Sequence, residues 1–122
     1  MSSNQEVMRF DAVGRLYGRS DQAVIHGLHI AVIGIGGVGS WAVEALARTG
    51  VGEITFIDND EVCVSNANRQ LHALTGTVGR QKVAVMAERV EQINPACRIN
   101  AIDDFLTMAT MEDYLGRGYD YV

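Results

Sequence analysis

Long apolar runs are missing from this sequence. None approaches the ~20 consecutive residues that a bilayer span requires, so no membrane segment is read in it. The opening Met1-Ser2-Ser3-Asn4-Gln5-Glu6 lacks the basic-then-apolar order of a signal peptide. Cysteine is scarce: Cys63 and Cys97 are the two present, and they form no C-x-x-C pair. Reduced thiols in a cytoplasmic protein are the simplest reading. Cys63 has no identifiable base to pair with and reads as a small buried side chain beside a strand. Positive charge is also short. Ten Lys and Arg against fifteen Asp and Glu leave a net charge of −5, so no broad electrostatic grip on nucleic acid is written here. No internal repeat or low-complexity linker breaks the chain. What is present, 48% hydrophobic and 20% charged residues in 122, suits one modest folded domain and not a disordered segment.

The most informative stretch is Ile30-Ala31-Val32-Ile33-Gly34-Ile35-Gly36-Gly37-Val38-Gly39. A β-branched run feeds a glycine turn, and an alanine-rich amphipathic run follows. Gly34, Gly36 and Gly39 fit G-x-G-x-x-G. The first glycine permits the tight turn, the second admits a phosphate to the backbone, and the third lets helix pack on strand. The helix that follows offers unpaired N–H groups and a positive dipole end to an anion. On its own the motif is weak, since ordinary turns contain glycines. Its context is what supports a nucleotide phosphate site.

In chain order, residues 1–28 predict a helical lead-in, with the helix over 8–27, ahead of a Rossmann-like domain over 29–122. Arg9, Arg15 and Arg19 in the lead-in belong either to a solvated face or to an arm reaching a phosphate or a neighbouring subunit. Residues 29–35 predict a strand and 38–49 a helix, with Val38, Trp41, Ala42, Ala45 and Leu46 facing the sheet. Gly50 and Gly52 end that helix. Residues 53–58 predict a second strand with Asp58 at its end. Strand, helix and strand within about thirty residues make a βαβ unit, hence a parallel sheet. A polar connection over 58–77 is long enough to suggest function. A helix follows over 79–94, with Val83, Val85, Met86, Val90 and Ile93 on its apolar side and Pro95 as its stop. Strand three is expected over 98–102, a short helix over 107–115, and the opening of a fourth strand over 119–122. A sheet that stops on a half-written strand has an unpaired edge, so the expected fold is the N-terminal half of a longer α/β domain.

A carboxylate at the end of strand two accepts both hydroxyls of a ribose in such folds. Asp58 stands there, 19 residues after Gly39. Asn66, Arg69 and Lys82 add an amide, a fork-shaped cation and a point charge near the same site. That set suits a triphosphate whose charge must be neutralised during attack. A hydride-transfer enzyme has no use for it. His72 reads as a capping or packing residue.

These segments together resemble the ubiquitin-activating-enzyme-like (ThiF/MoeB) superfamily of ATP-binding enzymes. The resemblance rests on Gly34-Ile35-Gly36-Gly37-Val38-Gly39, Ile57-Asp58-Asn59-Asp60 and Ser65-Asn66-Ala67-Asn68-Arg69-Gln70. Ser40 to Arg48, Val62 to Asn66, Asn68 to Leu74, Ile93-Asn94-Pro95 and Asp103-Asp104-Phe105 are similar to the bacterial tRNA threonylcarbamoyladenosine dehydratases. The resemblance implies ATP-dependent adenylation of a carboxylate on tRNA, then closure to a cyclic hydantoin. It assigns Gly34, Gly36, Gly37 and Gly39 to the phosphate turn, Asp58 to the ribose and Asp60 to the nucleotide's neighbourhood. Asn66, Arg69 and Lys82 would steady the phosphates, with Arg69 and Lys82 acting in catalysis. Mg2+, tRNA, a second copy of the chain and a sulfur-transfer protein are the implied partners. The family's magnesium-binding aspartate falls after strand four, so no residue here is assigned to metal. Where the superfamily carries an arginine that reaches the neighbouring subunit, this chain has Ala12, with Arg15 nearby.

Two other chemistries use parts of the same set. Adenylation of a ubiquitin-like sulfur carrier would need a groove for a diglycine tail. An NAD-dependent oxidoreductase would use the glycines and Asp58 but leave Arg69 and Lys82 idle. A nucleotide-binding scaffold without catalysis is the remaining class.

Overall fold

The computed structural model describes residues 3–122. Three parallel strands form the sheet: β1 (His29–Ile33), β2 (Glu53–Ile57) and β3 (Arg98–Ile102), in that spatial order. The register runs His29 to Glu53 to Arg98 and ends Ile33 to Ile57 to Ile102. β2 is central, and its pattern accords with that: Ile54, Thr55, Phe56 and Ile57 are all buried, as in a strand covered on both faces. Outside β1, residue 121 makes a single parallel bridge to Ile30, with Ala31 N–H donating to the Tyr121 carbonyl at 2.9 Å. The expected fourth strand is present only as that bridge.

Helices α4 (Gly39–Thr49) and α5 (Lys82–Ile93) connect the strands and share one core. Ile35, Val43, Ala47, Val51, Ile54, Phe56, Val83, Met86, Val90, Ile93 and Cys97 form it. Each large apolar side chain fully buried there contributes roughly 1.5–3 kcal/mol over the exposed state. All five residues expected on the inner side of α5 are buried. The lead-in is three short helices, α1 (Ser3–Arg9), α2 (Asp11–Tyr17) and α3 (Arg19–His26). Gly18, at φ +91°, makes the break between α2 and α3. A last short helix, α6 (Met111–Leu115), precedes the terminal bridge.

Two expectations are corrected. On α4 the buried residues are Ser40, Val43, Glu44 and Ala47. Of the residues expected to face the sheet, Val38 is 85% and Trp41 51% exposed; Ala45 is exposed, and Ala42 and Leu46 are half-buried. The helix takes this phase because its polar residues are paired. Arg89 donates to both carboxylate oxygens of Glu44 at 2.9 Å, and Arg48 Nε adds a bond at 3.0 Å. A hydrophobic pattern cannot register a buried glutamate held by two guanidinium groups. The second correction is Cys63, which is exposed on the connection after β2, not buried beside a strand.

Candidate functional site

β1 ends at Ile33, and the chain turns at Gly34 with φ +89°, a conformation that strains any L side chain. Gly39, the first residue of α4, is needed for a different reason. A Cβ there would stand 1.7 Å from the Gly34 carbonyl oxygen. These two glycines are required by the turn itself. Gly36 and Gly37 are not: a Cβ at Gly36 would meet only Gln70 Nε2 at 3.8 Å, and one at Gly37 the Arg69 stem at 3.5 Å. Their bareness leaves backbone open to an outside group. α4 begins just beyond, without a side-chain cap on its N-terminus, so its dipole and first N–H groups face the same rim.

Asp58 follows β2 directly and closes the turn from the other side. Its Oδ2 accepts the Ile35 N–H at 2.7 Å, and its Oδ1 accepts the Asp60 N–H at 2.8 Å. Each oxygen retains a lone pair for a further donor such as a sugar hydroxyl. Asp60 is exposed, and its Oδ2 lies 3.8 Å from Lys82 Nζ. Lys82, the chain's only lysine, opens α5 and is 6% exposed. A buried ammonium with one distant carboxylate neighbour suits a second anion.

The connection after β2 is ordered. Its central piece is a 3-10 helix, Val64–Asn68, which sequence periodicity missed. Asn66 is buried within it, and its Oδ1 accepts the Cys63 N–H at 2.9 Å. Arg69 ends this helix. Its guanidinium donates to Asn68 Oδ1 at 2.8 Å and to the Ser65 carbonyl at 3.4 Å, and its stem lies against Gly37. Thus Gly36, Gly37, Asp58, Asp60, Arg69 and Lys82 gather at the C-terminal end of the sheet, where ligands bind in open α/β folds. Asn66 supports this rim through its cap.

Four further residues belong to the site. Trp41 Nε1–H donates to the Arg69 carbonyl at 2.9 Å. Ser40 Oγ–H donates to the Gly36 carbonyl and accepts the Leu71 N–H at 3.3 Å. Gln70 is buried beside Gly36. His72 Nε2 bonds to the Ile35 carbonyl at 2.8 Å, the capping role read for it. Burial chiefly, and the Lys82 charge next, push its pKa below the ordinary value. The i, i+3, i+7 spacing of Ser40, Val43 and Ala47 could have placed Ser40 inside. No pattern in the sequence announces the other contacts.

A cavity of about 410 Å³ opens at the opposite end of the sheet, beside Gly50, Gly52, Cys97 and Arg98. Its three arginines are all engaged, Arg9 with the Ile93 carbonyl, Arg19 with Asp11 and Arg98 with Glu53. The chemistry at the glycine turn is the better guide to function.

The model of the ThiF family matches residues 11–122. The chain belongs to that family. A tRNA threonylcarbamoyladenosine dehydratase of Haemophilus influenzae is 59% identical over 114 residues, 93% of this ThiF-family chain and 44% of the relative. The sulfur carrier protein ThiS adenylyltransferase of Escherichia coli is 35% identical over 88 residues, 72% of the chain and 35% of the relative. Among solved structures, the E. coli tRNA N6-threonylcarbamoyladenosine dehydratase in complex with ATP superposes with a TM-score of 0.95 at 54% identity, covering 99% of this chain and 49% of that one. The chain therefore spans about half the length of the dehydratases it matches and about a third of that adenylyltransferase. The Rossmann-like parallel sheet with flanking helices is the fold expected for the family.

The ATP-binding residues expected of the family fit a nucleotide: a bare glycine backbone, a carboxylate with free lone pairs and two cations on one rim. A magnesium site is another matter. Among the described residues no three His, Cys, Asp or Glu stand together to hold a metal ion. No helix of the described chain is long and apolar enough to cross a membrane.

Proposed function

We propose that this protein uses ATP to adenylate the carboxylate of tRNA threonylcarbamoyladenosine and so drives its dehydration to the cyclic hydantoin. One observation carries the nucleotide reading: the two glycines that the turn itself does not need, Gly36 and Gly37, lie on the same rim as Arg69. The choice of substrate rests on the likeness to dehydratases, which at 59% identity exceeds the 35% shared with a sulfur-carrier adenylyltransferase.

In this reading Gly36 and Gly37 N–H groups face the phosphates and Asp58 accepts the ribose hydroxyls. Asp60 lies close to the nucleotide, and Asn66 steadies the phosphate rim through its cap. A carboxylate oxygen attacks the α-phosphorus, the bond to the bridging oxygen breaks, and pyrophosphate leaves. The urea nitrogen that joins the carbamoyl carbon to the adenosine then attacks the acyl carbon, gives up its proton and expels AMP, closing the five-membered ring. Arg69 and Lys82 offset the negative charge that builds on the phosphates. Mg2+ belongs to this proposal as the companion of ATP; the described residues do not make its site, and no step is assigned to it.

The test is pyrophosphate release by the full-length protein with threonylcarbamoyl-modified tRNA, unmodified tRNA and a ubiquitin-like carrier protein. Release only with the modified tRNA is expected. In Arg69→Ala and Lys82→Ala the maximal rate should fall more than ATP affinity does, each loss being on the order of 3 kcal/mol of transition-state stabilisation. Release with the carrier protein alone would transfer the reading to sulfur-carrier activation. Unchanged rates in both variants would make Arg69 and Lys82 ordinary surface charges.

A further inference from the structure

The backbone of Ile35 is held on both sides. Its N–H donates to Asp58 Oδ2 at 2.7 Å, and its carbonyl bonds to His72 Nε2 at 2.8 Å. A carbonyl oxygen only accepts, so the His72 proton sits on Nε2 and Nδ1 is a bare acceptor. His72 is 3% exposed, and Nδ1 has no hydrogen-bond partner among the described residues. Burying that acceptor is costly. An apolar side chain would fill the volume without the cost, so packing alone is a poor account of a histidine here. What an apolar side chain cannot do is donate to Ile35.

Two neighbours of His72 are tied to the same turn. Leu71 N–H donates to Ser40 Oγ, and the Arg69 carbonyl accepts from Trp41. Residues 69, 71 and 72 are therefore bonded to residues 40, 41 and 35. Arg69 itself is exposed, and its guanidinium bonds to Asn68 and Ser65 of its own turn, so its place beside Gly37 depends on where residues 69–72 sit.

We propose that His72 is a positioning residue: it latches residues 69–72 onto the glycine turn, so that Arg69 and the Gly36–Gly37 backbone keep one fixed spacing for the phosphates. The proposal rests on the adenylation reading above for its kinetic consequence, but the latch is a property of the chain itself. Phosphoryl transfer depends on such positioning, and a displacement of about 1 Å can cost ~100-fold in rate.

His72→Phe keeps a ring and removes the donor. His72→Gln keeps an amide N–H at a reach similar to Nε2. In the full-length protein, His72→Phe is expected to lower the maximal rate of pyrophosphate release by about tenfold or more while changing the KM for ATP less than about threefold. His72→Gln should recover the rate to within about threefold. Hydrogen exchange without substrate gives a second readout. In His72→Phe the Ile35 and Leu71 amides should exchange about tenfold faster, while Phe56 in β2 and Met86 in α5 keep their protection. Unchanged exchange at Ile35 and Leu71 overturns the latch. So does faster exchange at Phe56 and Met86, which would make His72 a general core residue, and so does failure of His72→Gln to restore the rate. If the wild-type protein releases no pyrophosphate with any carboxylate substrate, the adenylation reading falls, and the exchange data still decide the latch.

Discussion

Cys63 and Cys97 hold the same thiol in opposite settings. Cys63 is exposed, whereas Cys97 is buried against the core and its pKa is pushed up to about 11 by burial. A raised thiol pKa means less thiolate at any given pH, and the thiolate is the nucleophile. N-ethylmaleimide at about pH 7.5 should therefore label Cys63 quickly and Cys97 roughly 100-fold more slowly or only on unfolding. Peptide mapping by mass spectrometry reads the two sites separately; equal labelling rates would contradict the burial of Cys97. The sequence does not separate these residues, because the difference arises in the tertiary packing. Backbone positions show the same divide. The turn glycines Gly34 and Gly39 were legible, since backbone geometry leaves them little choice. The place of Asp58 after a strand was legible, but its bonds to the Ile35 and Asp60 amides were not. Helical spacing puts Trp41 toward the sheet, whereas it turns outward to a carbonyl 28 residues away.

At the scale of elements, α4 and α5 are joined by more than apolar contact. Glu44 sits at the seam with 11% of its side chain exposed, and it receives Arg89 in a bidentate bond and Arg48 from its own helix. Those bonds, that of Arg89 first, hold the Glu44 carboxyl below its ordinary pKa. A carboxylate with a lowered folded-state pKa adds stability above its unfolded value and loses it as the pH falls through the folded value. Glu44→Ala should destabilise the fold at neutral pH by on the order of 1–2 kcal/mol, since both arginines stay partly solvated. That cost should shrink as the pH is lowered through the mildly acidic range below the ordinary glutamate value. Urea midpoints measured from neutral pH downward check both statements; a cost independent of pH would assign the effect to lost packing. Strands and α5 were legible because their apolar residues, a continuous run in β2 and one face in α5, end at clear stops. β3 was read with its observed bounds, and Pro95 marked the end of α5 within two residues. The phase of α4 was legible only in part: the spacing of Ser40, Val43 and Ala47 marks one face, but Glu44 is buried by virtue of Arg89, far away in sequence. The 3-10 helix over Val64–Asn68 was also missed. Its turn is held by the Asn66 side chain on the Cys63 N–H, a local bond that follows no hydrophobic period.

For the molecule as a whole, one parallel sheet serves either of two nucleotides. A glycine turn after the first strand and a carboxylate after the second suit NAD as well as ATP. What separates them is the charge at the rim. Arg69, with its stem against Gly37, and the nearly buried Lys82 put two cations near the glycine turn and Asp58, a set that suits a triphosphate's several negative charges. NAD brings a pyrophosphate and a nicotinamide, which gains nothing from the second cation. Calorimetric titration of the full-length protein should therefore show ATP binding more tightly than NAD, with the difference shrinking as salt rises. Lys82→Ala should weaken ATP and leave NAD nearly unchanged. Asp58 needs a test from the ligand side. Replacing it with asparagine would turn an amide N–H toward the Ile35 or Asp60 N–H and disturb the turn itself. A 2′,3′-dideoxy analogue of ATP leaves the turn intact and removes only the hydroxyls. It should bind more weakly by roughly 1.5–3 kcal/mol if Asp58 holds the ribose through charged hydrogen bonds. Equal binding of the analogue would remove Asp58 from the ribose, and tighter binding of NAD than of ATP would set aside adenylation for the whole protein.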